Sequence, residues 1–280
     1  MTPQKRSSPT LAASAWRIFD LSLSQMLWSR RSVFLGLVVG GPIVLALGIR
    51  AIGHWSRIGL PMSNGMPITG PTLFGMMIWL LYIRFVLPVL GVFYGTSLIA
   101  DEVEDKTITY LFTRPISRSA VLLGKYMAYL VCTVLLVLPS VVIVYFLVVP
   151  LGGGSVGREF PALASDLGVL TLGLAAYGAV FAFVGARLKR PIVIGLVFAF
   201  GWEHGVQILP GYIKQATVVY YLQGLVPHAM PNDSVVGGLI QLFNQPPSKG
   251  VSIAVLVVLT GVMLWLAGRS VQKREFVLEQ

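Results

Sequence analysis

Three ionisable residues stand where a soluble protein would have none. Arg84 lies inside "MMIWLLYIRFVLPVL", and Glu203 with His204 lies inside "FGWEHGVQ", each within a long apolar run. An ionisable group at membrane depth costs a few kcal/mol even on the gentlest scale, so such a group faces a partner or a wet cavity. Arg84, Glu203 and His204 are therefore candidates for an intramembrane pathway or relay, with structural pairing or snorkelling as the plain alternative. A second concentration of charge falls between two of the longest apolar runs. Residues 98–125, "LIADEVEDKTITYLFTRPISRSAVLLGK", hold Asp101, Glu102, Glu104 and Asp105, four of the chain's 11 acids. Other chemistry is sparse. His54, His204 and His228 are isolated from one another and from Cys or spaced carboxylates, which argues against a metal site. There is no G-x-x-x-x-G-K-[ST] run, so the chain carries no phosphate-cradling loop of its own.

The elements that position these residues follow from composition. Of 280 residues, 55% are hydrophobic and 11% charged, against about 25% charged in an ordinary soluble domain. The formal net charge of +10 suits an anionic membrane surface better than a nucleic acid, given so few charges overall. Cys132 is the single cysteine, so no intrachain disulfide can form. No cleavable leader is expected, because the first apolar run begins late, near Val33.

Six runs approach the roughly 20 residues that a membrane-spanning helix needs: about Val33–Ile49, Phe74–Ala100, Ala120–Val149, Leu167–Val184, Ile192–Leu209 and Val251–Leu266. The expected fold is all-α, one polytopic domain over residues 1–280. Pro42, Pro88 and Pro139 fall inside spans, where neighbouring helices can satisfy freed carbonyls. Before the first span, residues 11–31 place Trp16, Phe19, Leu23 and Leu27 at helical spacing, which predicts an amphipathic helix along the membrane surface. "LGGGSVGREFPALAS" reads as an outer loop, and residues 210–250 as a larger outer loop with short surface-lying helices.

Basic residues set the orientation. Lys5, Arg6, Arg17, Arg30, Arg31, Lys106, Arg114, Arg118, Lys125, Arg187, Lys189, Arg190, Arg269, Lys273 and Arg274 fall on one side; Arg50, Arg57, Arg158, Lys214 and Lys249 fall on the other. The first side is expected to be cytoplasmic. It includes both termini and the loop at 101–119.

Within that loop Ile108, Leu111 and Phe112 recur at i, i+3, i+4 and make one apolar face. The carboxylates precede it, where the helix dipole favours negative charge. Pro115 ends the helix and Ser117 can cap the next. A short helix with an exposed apolar face and flanking charges suits docking of a cytosolic partner.

This loop resembles that of permease subunits of the type-2 ABC exporter family, which commonly reads E-x-E-x-G-T, leucines, P-x-S-R and then G-K. Glu102, Glu104, Thr107, Leu111, Pro115, Ser117, Arg118, Gly124 and Lys125 fall at those places. Lys106 stands where the family usually has glycine. "FGWEHGV" followed by "LPG" is similar to the family's fifth span.

The resemblance implies a six-span permease of a bacterial cytoplasmic membrane, paired with a second permease copy and with a separate ATP-binding subunit. It would work as an exporter by alternating access. ATP and Mg would then sit on the partner, with no cofactor and no catalytic residue in this chain. Glu102, Glu104, Thr107, Ile108, Leu111, Phe112, Pro115 and Arg118 would form the coupling helix that seats on the ATPase. Two other readings compete: a proton-coupled carrier using Arg84 and Glu203, and a membrane enzyme using Glu203 and His204 as acid and base, for which no nucleophile is evident.

Overall fold

A computed structural model of the chain describes residues 18–23, 26, 30–55, 62–63, 66–67, 69–99, 118–208, 212–227 and 247–273. These residues are almost wholly helical. The long helices are α1 (Arg30–Trp55), α2 (Gly70–Ile99), α3 (Arg118–Val148) and α4 (Val156–Arg187). Next comes α5, continuous through Pro191–Leu196, Val197–Trp202 and Glu203–Ile208. A short helix, α6 (Val218–Gln223), follows, and α7 (Lys249–Lys273) completes the set. Among the described residues, the one pairing of extended residues is a two-residue antiparallel contact, β1 (Met62–Ser63) with β2 (Met66–Pro67). Five of these helices are long and apolar enough to cross a membrane, and α5 is a shorter apolar helix. The protein is a polytopic helical membrane protein.

The interior is built around α4, which packs on α7, α3 and α2. Close approach depends on glycines of α4. A Cβ at Gly178 would collide with the Tyr129 ring of α3, and one at Gly185 with the Thr96 carbonyl of α2. Such small residues let helices approach where no hydrophobic drive separates protein from lipid. Gly178→Ala is accordingly expected to lower thermal stability by about 1–3 kcal/mol through overpacking. Gly168→Ala, on an open face of the same helix, should be neutral or slightly stabilising. Thermal unfolding of the two purified variants checks the contrast.

Hydroxyl groups tie the spans together. Tyr82 of α2 donates to Ser140 Oγ of α3 at 2.7 Å, and Ser140 donates onward to the Val39 carbonyl of α1 at 3.0 Å. That carbonyl adjoins the one at Val38 which Pro42 deprives of its usual donor. Tyr126 and Tyr129 of α3 reach the carbonyls of Ala175 and Leu174 in α4, at 2.9 and 3.1 Å. At the C-terminal end of α3, the Arg50 guanidinium of α1 caps the helix by donating to Leu147 and Phe146 carbonyls at 3.1 and 3.4 Å. A cation there meets the negative end of the helix dipole.

Two sequence expectations are corrected. The fourth span begins at Val156 rather than near Leu167, so "VGREFPALAS" is helix and not loop. Pro161 is the sixth residue of this helix and forgoes one backbone bond, to the Gly157 carbonyl, without ending the element. At 32 residues, α4 is about 48 Å long and must project beyond a hydrocarbon core of about 30 Å. The second correction concerns α2 and α5, which are not uniform α-helices. Ile78–Val86, Gly91–Gly95 and Val197–Trp202 are π-helical. Of the surface helix, residues 18–23 and 26 are helical, with Phe19 and Leu23 half-buried and Asp20 and Leu21 exposed. Trp16 and Leu27 lie outside the described residues.

Candidate functional site: a buried carboxyl and a separate arginine

Both intramembrane charges sit at π-helical turns. Each wide turn takes in one residue more than an α-turn and shifts the side chains beyond it; such bulges are rare and concentrate at functional sites. Arg84 is inside Ile78–Val86, which ends with the Leu87 N–H donating to the Tyr82 carbonyl. Glu203 follows Val197–Trp202 directly, its N–H donating to the Phe198 carbonyl.

Glu203 is 1% exposed. Its carboxyl group accepts three hydrogen bonds, from the Tyr177 hydroxyl of α4 at 3.1 Å and from the backbone N–H groups of Val218 at 3.0 Å and Val219 at 3.2 Å. Those two amides open α6 and have no carbonyl partner within that helix. Glu203 therefore caps α6 and fastens it to α5 and α4. Thr217, just before, donates its hydroxyl to the Lys214 carbonyl at 2.7 Å, which closes the turn from the preceding short helix, Tyr212–Ala216.

His204 turns away from this cluster. Its Nδ1 lies 2.9 Å from the Ala199 carbonyl, which can only accept, so Nδ1 carries the proton. The ring also stacks on Phe200, with centroids 5.8 Å apart. With its ring held by these two contacts, His204 makes no hydrogen bond to Glu203.

Arg84 does not pair with Glu203. Its guanidinium lies 4.6 Å from the centroid of the Trp79 ring, within electrostatic reach of Tyr177. Its Nε is buried and has no hydrogen-bond partner among the described residues. The structure thus brings Arg84, Tyr177 and Glu203 into one region but spends the carboxyl on α6. Sequence reasoning missed Tyr177, and also Asp166, which is fully buried in α4. Asp166, Leu170, Gly173 and Tyr177 are all buried on one face, at i, i+4, i+7 and i+11. That helical spacing was the signal that could have found them.

Glu102, Glu104, Thr107, Ile108, Leu111, Phe112 and Pro115 lie outside the described residues; Arg118 is the first residue of α3. Gly153–Gly157 spell G-x-S-x-G, but they join two helices rather than a strand to a helix, the setting in which that pattern makes a nucleophile. Among the described residues no three potential metal ligands converge.

The class defined by these features is a multi-span helical membrane protein with buried polar groups between its spans. A family model described as "ABC-2 family transporter protein" matches residues 12–275. The chain belongs to that family, as a transmembrane component of an ABC transporter. Membership implies association with an ABC ATP-binding subunit. Comparison with curated protein sequences found no match.

Proposed function

We propose that the chain is the membrane half of an ATP-driven exporter. Two copies, or this chain and a related one, enclose the pathway and alternate its access, while a separate ATP-binding subunit docks on the loop between α2 and α3. The observation that carries this reading is the family match across 12–275. The acidic, amphipathic 101–119 segment joining the second and third spans supports it. The basic-residue asymmetry supports a cytoplasmic position for that loop and for both termini, in a bacterial inner membrane. ATP and Mg belong to the partner, and no residue here takes part in hydrolysis.

The proton-carrier alternative needs Glu203 to exchange protons along a pathway beside Arg84. Three donors already engage Glu203, and Arg84 is not among them, which favours the ABC reading. Affinity purification of the tagged chain from native membranes tests the proposal. A co-purifying ATP-binding subunit with ATP hydrolysis is expected. Isolation without any such subunit, together with transport abolished by a proton uncoupler, would contradict it.

A further inference from the structure

Arg84 remains unexplained by the packing. A charged side chain in a span is kept only against a partner or a wet cavity, and Glu203, the nearby carboxyl in the fifth span, is saturated by Tyr177, Val218 and Val219. Tyr177 gives its proton to Glu203, and the buried Arg84 Nε has no acceptor among the described residues. The Trp79 ring supports one face of the guanidinium at 4.6 Å, leaving its planar edge, a fork of donors that matches carboxylate and phosphate oxygens. Exposed apolar side chains lie on the same two helices. Phe85 and Phe200, from α2 and α5, are 45% and 41% exposed with ring centroids 6.2 Å apart, and Leu80 is 51% exposed.

We propose that Arg84 binds the anionic head of an amphiphile, a carboxylate or phosphate carried on an apolar body, whose tail lies along Phe85 and Phe200 between α2 and α5. The proposal rests on the permease reading and adds the chemical class of the transported or bound molecule. The site selects by charge at the guanidinium and by apolar contact beside it. Glu203 contributes only indirectly, by being committed to α6 and leaving Arg84 without a carboxylate of its own.

The test uses the full chain with its co-purified ATPase in nanodiscs of phosphatidylcholine alone. Radiolabelled palmitate, uncharged hexadecanol and phosphatidate are the probes. Wild type should bind palmitate, phosphatidate or both, and Arg84→Gln should weaken that binding by about tenfold or more. Arg84→Lys should recover part of it, and hexadecanol should bind both forms alike, which excludes misfolding as the cause. In wild type, hexadecanol at equal concentration should fail to displace the anion. Phosphatidate without palmitate identifies a bilayer lipid as the occupant; palmitate without phosphatidate identifies a soluble amphiphile. Equal anion binding by wild type and Arg84→Gln, or equal displacement by hexadecanol, overturns the proposal. ATPase retention is read in the same preparation. An intact complex without Arg84-dependent binding sinks the anion site alone, whereas loss of the ATPase sinks the permease reading.

Discussion

Glu203→Leu is expected to yield a permease that inserts but melts several degrees lower, with α6 detached from the bundle. Leucine nearly fills the volume but accepts no hydrogen bond, so the Val218 and Val219 amides and the Tyr177 hydroxyl lose their acceptor. A buried donor left unsatisfied costs about 1–3 kcal/mol. Three such costs would exceed the free energy holding a helix of 6 residues, so α6 should peel away and take water as its partner. The net loss is then capped at about 2–4 kcal/mol, softened because a buried carboxyl group has also been removed. Tyr177→Phe removes only one of the three donors and leaves the amides capped, so its effect should be about 1 kcal/mol. The measurement is thermal unfolding of purified protein, with protease sensitivity of the segment around Tyr212–Ala216 as the local readout.

Leu111→Asp is expected to have the largest effect on function while leaving the spans intact. If Ile108, Leu111 and Phe112 seat in the partner ATPase, each large side chain contributes about 1.5–3 kcal/mol on burial. Aspartate there loses that contribution and brings an unpaired charge into an apolar cleft, which adds further cost. Loss on the order of 3 kcal/mol would weaken the association by about a hundredfold. Glu102→Lys should do less, because an exposed ion pair contributes only about 0–1 kcal/mol. The quantity to measure is ATPase retained per permease after affinity purification. Full retention in Leu111→Asp would mean that the ATPase docks elsewhere.

The fold was legible from the sequence where one physical rule acted alone. Apolar length placed the five helices long enough to cross a membrane and the shorter α5, and the described helices overlap those runs, with the largest difference at the start of α4. There the Gly, Pro and Ser content of "LGGGSVGREFPALAS" suggested a loop, yet only residues up to Ser155 behave so. Pro161 removes one backbone bond of α4, yet the helix continues through it. The π-helical turns could not be seen. A span that is apolar on every face has no periodicity to reveal where one extra residue enters a turn.

The candidate site was half legible. Placing a carboxyl and a guanidinium in spans signalled that each needed a partner or a cavity, but periodicity says nothing about which helix supplies it. Tyr177 is 26 residues from Glu203 in sequence, and it reads as one more core aromatic. The capped amides belong to a short helix whose sequence, "VVYYLQ", carries no capping residue of its own beyond Thr217, which makes no side-chain cap. Glu203 supplies from a distance what that segment lacks locally.

The central structural claim is that Glu203 fastens α6 to the bundle and does not pair with Arg84. Hydrogen exchange at the Val218 and Val219 amides tests it most directly, measured in wild type and in Glu203→Gln within the intact complex. Both amides should be strongly protected in wild type. In Glu203→Gln, which keeps one acceptor oxygen but introduces donors beside the two amides, at least one should exchange faster, while the ATPase stays bound. Unchanged protection of both amides in Glu203→Gln, with ATP hydrolysis by the complex abolished, would contradict the account and return Glu203 to the transport pathway.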